Sequence, residues 1–199
     1  NLKRMKVLNF GGGILKDSTN IKNLINVLYP YSGQEIIIVV SALGKTTNAL
    51  EELIYNIYYG KSKDADEAWE KIGAFHNEIL KGLFQNNDKK IHQEVDNIIN
   101  DLGEKINVPG RKDYDQLYDE LICYGEKLAS AIISHYLNIN AQTNRIIPAS
   151  EIIITDSNHR EAGLIWDLSR KKIRSAVNQC FKEDNIKTIV TQGFIGAAM

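Results

Sequence analysis

Five consecutive aliphatic residues, Ile36-Ile37-Ile38-Val39-Val40, constrain the fold of this chain more than any other stretch. A strand with one wet face alternates apolar and polar residues; a run without alternation predicts a strand covered on both faces. It is far too short to span a bilayer. The segments around it repeat one order. A first strand over residues 5–10 runs into Gly11-Gly12-Gly13, and Ile21, Leu24, Ile25 and Leu28 then form an apolar stripe at helical spacing. Asp17 or Ser18 is expected to cap that helix, and Pro30 and Gly33 to end it. After the aliphatic strand comes a polar turn, Ala42-Leu43-Gly44-Lys45-Thr46-Thr47-Asn48, and then a second stripe of Leu50, Leu53, Ile54 and Ile57. This β-α-β-α opening predicts an α/β chain with a parallel sheet and helical crossovers.

The middle of the chain reads differently. From about residue 64 to 107 only helical patterns occur, first Ala65, Ala68, Trp69, Ile72, Phe75, Ile79 and Leu83, then Ile91, Val95, Ile98, Leu102 and Ile106. Asn86-Asn87-Asp88 separates them and predicts an antiparallel pair. Pro109-Gly110 ends the pair, and one long helix is expected over residues 113–137, with Leu117, Leu121, Leu128 and Ile132 on its apolar side and Gly125-Glu126 inside it. The last third returns to α/β. One or two short strands broken at Pro148 are expected between Arg145 and Ile154, then a polar turn at Thr155-Asp156-Ser157-Asn158. Ser169 is expected to start a helix carrying Ile173, Val177, Cys180 and Phe181, followed by a strand over 186–191 and the turn Gln192-Gly193-Phe194-Ile195-Gly196. The pattern stops at Met199 with no helix to cover that strand, so the expectation is a fragment, or a protein missing a second half.

Charge and composition narrow the partners. A formal net charge of −1 and a sequence pI near 6.5 argue against nucleic acid and anionic membranes. Cys123 and Cys180 lie far apart and form no C-x-x-C, so a reduced, cytoplasmic protein is expected. His76, His92, His135 and His159 show no ligand-like spacing, and no metal site is expected from them.

Three turns fall at the carboxyl ends of apolar strands: after Phe10, after Ser41 and after Thr191. Ligands of open parallel sheets collect at that edge, and bare glycine amides after a strand suit a phosphate or another anion. Taken singly, each turn also reads as a simple chain reversal. Gly44-Lys45-Thr46 invites a P-loop reading, but G-x-x-x-x-G-K-[ST] would need glycine at Val39, inside the strand. The hydroxyls of Ser41, Thr46 and Thr47 suit a small polar ligand instead; Thr46 or Thr47 could equally be a helix N-cap. Glu126, flanked by Leu121, Ile122 and Leu128, could receive a ligand ammonium, although spacing alone favours a solvated helix face.

In order along the chain stand Phe10-Gly11-Gly12, Val40-Ser41-Ala42-Leu43-Gly44-Lys45-Thr46-Thr47-Asn48, Tyr124-Gly125-Glu126-Lys127-Leu128, Ile154-Thr155-Asp156-Ser157-Asn158 with Glu161-Ala162, and Thr191-Gln192-Gly193-Phe194-Ile195-Gly196. Together they resemble the aspartate kinases of the amino acid kinase family, over the whole chain. The resemblance implies a three-layer parallel-sheet fold, of which residues 1–199 would be the N-terminal, amino-acid-binding lobe, with a helical insert at about 64–137. It implies a phosphotransferase that passes the γ-phosphoryl of MgATP to the β-carboxylate of L-aspartate, at the start of lysine, threonine and methionine biosynthesis, and leaves room for a homo-oligomer. It implies Gly11, Gly12 and Gly13 beside the transferring phosphoryl, Ser41 and Thr47 on the aspartate, Glu126 on its amine, and Thr191, Gln192 and Gly193 beside substrate and phosphates.

Two departures bear on activity. The family opens on K-F-G-G-[TA]-S-V, and here the lysine is Asn9, the Thr or Ala is Gly13 and the Ser is Ile14. An amide donates hydrogen bonds but neutralises no charge, and phosphoryl transfer rests on positioning and charge neutralisation. Lys6 falls on the opposite strand face, while Lys16 and Lys45 lie on nearby turns. The G-R-E-G-S-D stretch of the nucleotide-binding half, and the regulatory domains beyond it, do not occur in these residues. Weak or absent transfer by this stretch is therefore expected, with doubtful use of ATP and Mg2+; the alternative is a non-catalytic pseudokinase that binds an amino acid or a partner. Glutamate-type and acetylglutamate-type kinases are disfavoured by the Ser41–Asn48 turn and the long helical insert.

Overall fold

A computed structural model describes residues 5–84, 88–106 and 113–198. Strand β1 (Lys6–Phe10) pairs in parallel with β2 (Ile36–Val40), so that Phe10 lies opposite Val40. β2 pairs in turn with β5 (Thr188–Gln192), placing Val40 opposite Gln192, and β3 (Asn144–Ile146) closes the far edge. The order β1-β2-β5-β3 puts the two most buried of the five-residue strands in the middle. Strand alternation then sorts the side chains: Ile36, Ile38 and Val40 enter the larger core with Phe10 and Val190, while Ile37 packs on the other face with Ile147, Cys180, Phe181 and Ile189. These two hydrophobic layers confirm the sheet covered on both faces and the α/β class.

Helices α1 (Ser18–Lys22) and α2 (Leu24–Leu28) carry the first stripe, and Ile21, Leu24 and Leu28 are buried. One helix was expected here; a tightened turn at Asn23 divides it. The Asp17 carboxylate caps α1 by accepting the Asn20 N–H at 2.8 Å. Helix α3 (Thr46–Tyr58) buries Leu50, Leu53 and Ile54. It packs against α4 (Ser62–Leu83), which packs in turn on α5 (Lys89–Ile106). The Trp69 indole donates to Ile99 O at 3.0 Å and lies over Gly103, while Gly73 meets Ile99. Residues early in α4 thus meet residues late in α5, as an antiparallel pair requires. Asn86, Asn87, Pro109 and Gly110, expected to punctuate this pair, lie outside the described residues.

The long helix expected over 113–137 is two: α6 (Tyr114–Ile122) and α7 (Tyr124–Ile139), separated at Cys123. The Asp113 carboxylate caps α6 through the Asp115 N–H. The break moves Glu126 from a helix interior to the first turn of α7. α7 is the most deeply buried helix, packed on β2, β3 and β5 as well as on α5. Between Arg145 and Ile154 the chain forms β3, a short helix α8 (Ala149–Ile152) after Pro148, and β4 (Ile154–Thr155). β4 leaves the main sheet and pairs with β6 (Ala197–Ala198).

Helix α9 spans Trp166–Asn178 and winds into a wider turn at Gln179–Glu183. Ser169, expected to start this helix, is instead buried within it, where its hydroxyl bonds both the N–H and the carbonyl of Ile154 and ties α9 to β4. The last strand of the main sheet is not left uncovered, as the sequence suggested. β5 sits between β2 and β3 with every residue buried, because α7 covers one face and the layer around Phe181 the other. Among the described residues, no helix is long and apolar enough to cross a membrane.

Candidate functional site

Because β1, β2 and β5 are parallel neighbours in register, the three turns foreseen in the sequence emerge side by side at the carboxyl edge of the sheet. Backbone hydrogen bonds lace them together. Ser41 N–H donates to Phe10 O at 3.1 Å, Gly193 N–H to Val40 O at 2.9 Å, and Gly44 N–H to Leu15 O at 3.1 Å. The first and second turns also press directly on each other: a Cβ on Gly12 would stand 2.6 Å from Ala42 O and 3.0 Å from Gly44 O. Gly44 has φ +54° and its missing side chain makes room for the Phe75 ring of α4. By contrast, Cβ positions on Gly11 and Gly13 face open space. That leaves bare backbone exposed where a phosphate could approach.

Asn9 is exposed on β1, in a row with Val39 and Thr191 on the sheet face opposite the larger core. Val7, its neighbour on that face, is 59% exposed, since β1 is an edge strand. Lys6 falls on the other face by strand alternation, and Lys16 and Lys45 are exposed on the turns. Among the described residues, no group of three or more His, Cys, Asp or Glu side chains is placed to hold a metal ion.

Glu126 is only 5% exposed, which overturns the solvated helix face that spacing alone suggested. Its Oε1 accepts the Ala42 N–H at 3.3 Å, so a carboxylate of α7 is held against the second turn. Burial pushes its carboxyl above the ordinary glutamate range, opposed by the Ala42 N–H and by its own backbone N–H. Its place in the first turn of α7 favours the anion, since the helix amides point toward it. A buried acid at the rim of three turns can exchange part of this environment for a ligand ammonium.

Gly125, next to it, brings α7 this close: a Cβ there would stand 2.7 Å from the Ala42 side chain. A glycine within a helical pattern costs about 1 kcal/mol relative to alanine, so its presence was a readable sign of tight packing. The Tyr124 hydroxyl bonds the Asp101 carboxylate of α5, and Lys127 lies over the Tyr124 ring at 4.3 Å.

Ser41 and Thr47 are half-buried beside this carboxylate's turn, Ser41 after β2 and Thr47 as the second residue of α3. A Cβ on Gly193 would lie 4.0 Å from the Ser41 hydroxyl, so the second and third turns converge there. Neither Thr46 nor Thr47 caps α3. Lys45 occupies the cap position without a side-chain bond, and the buried Thr46 hydroxyl donates back to Leu43 O at 2.6 Å.

Thr191 and Gln192 are buried in β5 and turned into the scaffold. The Thr191 hydroxyl donates to Ile147 O at 2.7 Å. Gln192 Oε1 accepts the Ala149 N–H at 2.7 Å, while its Nε2 donates to the Ser130 hydroxyl at 2.8 Å. Ser130 escaped the sequence reading, although it stands four residues after Glu126 and therefore on the same helix face. Phe194, in the third turn, is 79% exposed with φ +62°.

The Asp156 turn forms a closed loop of its own, accepting the N–H groups of Asn158 and Gly163. These bonds hold its carboxyl below the ordinary aspartate range. The segment after it straps across α6: Arg160 N–H donates to Asp119, and its guanidinium meets Asp115 at 3.1 Å and stacks over Tyr118.

Comparison with known proteins places the fold. The model of the amino acid kinase family matches residues 4–198. E. coli aspartokinase III in complex with aspartate and ADP, in its R-state, is similar at TM-score 0.80 and 19% identity, over 98% of this chain and 42% of that one. The complex of the same enzyme with lysine and aspartate, in its T-state, matches with the same values. Aspartate kinase from Synechocystis matches at TM-score 0.51 and 16% identity, over 98% of this chain and 22% of that one. The chain thus spans less than half the length of these proteins, and at such identities the likeness establishes a shared fold. No curated protein matches the chain.

Proposed function

The chain belongs to the amino acid kinase family, and from that premise we propose that it forms the amino-acid-binding part of an aspartate kinase-type phosphotransferase. The observation that carries this reading is the buried Glu126 carboxylate, held by the Ala42 N–H at the point where the three strand-end turns converge. The ligand is L-aspartate. Its ammonium meets Glu126, where an opposite charge relieves the cost of a buried carboxylate. Its carboxylates face the hydroxyls of Ser41 and Thr47. Two structures of one relative in fold hold aspartate, one of them with ADP and the other with lysine.

The donor would be MgATP, which supplies an electrophilic γ-phosphoryl for attack by the β-carboxylate. The open backbone at Gly11 and Gly13 fits the phosphoryl end of such a donor. Mg2+ finds no carboxylate cluster among the described residues. This chain's own residues therefore orient the amino acid and line the phosphoryl corner, and Asn9 brings a hydrogen-bond donor but no positive charge to it. Calorimetry with L-aspartate tests the binding; binding weakened but still measurable in Glu126→Gln is the expected outcome, and no binding by the unaltered chain overturns the reading. A coupled assay for aspartyl phosphate with MgATP then measures transfer.

Asn9 also supports a second reading, a non-catalytic relative that binds the amino acid without phosphorylating it. The two separate once these residues are joined to a nucleotide-binding half: L-aspartate binding without aspartyl phosphate at any MgATP concentration then favours the second.

A further inference from the structure

Four hydrogen bonds and the short backbone segments between them close a circuit at the site. From Glu126 the Ala42 N–H leads through Ser41 to Val40, whose carbonyl accepts the Gly193 N–H. Gly193 follows Gln192, whose Nε2 donates to Ser130 Oγ; that hydroxyl donates to Lys127 O at 3.0 Å, one residue from Glu126. Ser41 sits inside the circuit. Apart from Gln192, its links are backbone groups, the Glu126 carboxylate and one hydroxyl. Gln192 is the link that joins strand to helix, and it is fixed at both ends, since Oε1 is held by the Ala149 N–H of α8. Ser130 is 2% exposed and Ala149 1%, so water cannot replace these bonds without opening the core.

We propose that Gln192 is a positioning residue: it touches no ligand but sets the separation between the Glu126 carboxylate and the Ser41 and Gly193 turns. The amide does both at once, its carbonyl oxygen accepting from Ala149 and its NH2 donating to Ser130. This inference rests on the reading of the site as an L-aspartate site, and it replaces the direct phosphate-side role that resemblance implied for Gln192. Losing the brace lets the first turn of α7 shift relative to β2. The cost falls on geometry at the ammonium end and not on the fold alone, because Ser130 lies one helical turn from Glu126 on the same face.

Two measurements test it, one without ligand. The Ala42 amide reports ionisation of Glu126 through their hydrogen bond, so its nitrogen chemical shift is followed against pH. Gln192→Leu is expected to shrink or abolish that titration while the folded spectrum persists; an unchanged titration overturns the proposal. Should Gln192→Leu fail to fold, Ser130→Ala cuts the same link from the helix side by removing one oxygen, and the same two outcomes apply. The second measurement is L-aspartate affinity, expected to fall about tenfold in either variant, the worth of one well-placed buried hydrogen bond. In Glu126→Gln, adding Gln192→Leu should produce no further loss, because the two act through one contact. Full additivity overturns the proposal. Absence of L-aspartate binding by the unaltered protein would sink the functional reading, and the Ala42 titration would still decide the role of Gln192.

Discussion

Glu126 and Asn9 both serve turns at the carboxyl edge of the sheet, and the fold treats them in opposite ways. Glu126 is buried on the best-packed helix, bonded to a neighbouring turn, and braced from below by Ser130 and Gln192. Asn9 is exposed on an edge strand, beside Val7 and the open backbone of Gly11 and Gly13. In the proposed site the amino-acid end is thus preorganised by the core of these residues. The proposed phosphoryl end is exposed backbone without a cation in the family position. Preorganised groups cost no rearrangement when ligand arrives, so recognition and transfer should respond very differently to substitution.

The largest effect is expected at the exposed end. In a chain competent for transfer, Asn9→Lys restores the missing charge and should raise the rate of aspartyl phosphate formation by about 10²–10³, the usual worth of one such electrostatic contact. Stability should hardly move, since Asn9 is exposed. A rate unchanged by the new lysine would place the defect elsewhere and remove the contrast between the two ends.

At the buried end, Glu126→Gln should weaken L-aspartate binding by about 10², as expected when one partner of a desolvated charge pair is removed. Its effect on stability has the opposite sign. Burial raises the folded carboxyl pKa, so between its unfolded and folded values the native state binds the proton better, and stability falls as pH rises through that window. The glutamine should therefore melt higher than the parent at neutral pH, with little difference under acid conditions where Glu126 is already protonated. Thermal melts at the two extremes check this; a lower melting temperature at neutral pH would contradict it.

Much of this contrast could be read from the residues, and the part that could not has a physical reason. Strands, stripes and the three turns follow from periodicity and glycine placement, which are local. The breaks at Asn23 and Cys123 have no glycine or proline to announce them, because they are set by what the helices on each side pack against. The direction of Thr191 and Gln192 depends on strand order: once β5 lies between β2 and β3, their side chains point into packed layers and find Ile147, Ala149 and Ser130. A strand read alone carries no information about its neighbours. The burial of Glu126 was hidden for the same reason, although Gly125 beside it marked the close approach.

Among the described residues, one buried side-chain atom is unsatisfied. His76 of α4 is fully buried beside Phe75; its Nδ1 meets Ile72 O at 2.8 Å, but its Nε2 has no partner. Burial lowers its pKa to about 4 from 6.5. The unfolded chain takes up this proton first as pH falls, so stability present above pH 6.5 should be lost progressively down to about pH 4, by about 3 kcal/mol in all. His76→Leu should remove that share of the acid sensitivity. Urea midpoints across this pH range measure it, and an undiminished slope in the variant would assign the sensitivity to other groups.

The smallest effects sharpen the comparison within a single turn. Gly12 belongs to the packed side: an added methyl would stand 2.6 Å from Ala42 O, a backbone atom that cannot rotate away. Gly12→Ala should therefore cost about 1–3 kcal/mol of stability, as overpacking does. Gly11 and Gly13 belong to the open side, where a methyl meets nothing within 4 Å, so Gly11→Ala and Gly13→Ala should change stability by no more than about 0.5 kcal/mol. If phosphate approaches this backbone, those same two variants should still weaken the response to MgATP, because the methyl occupies the space the anion needs. Equal destabilisation by all three substitutions would show that the opening turn is packed throughout and is no place for a phosphoryl group.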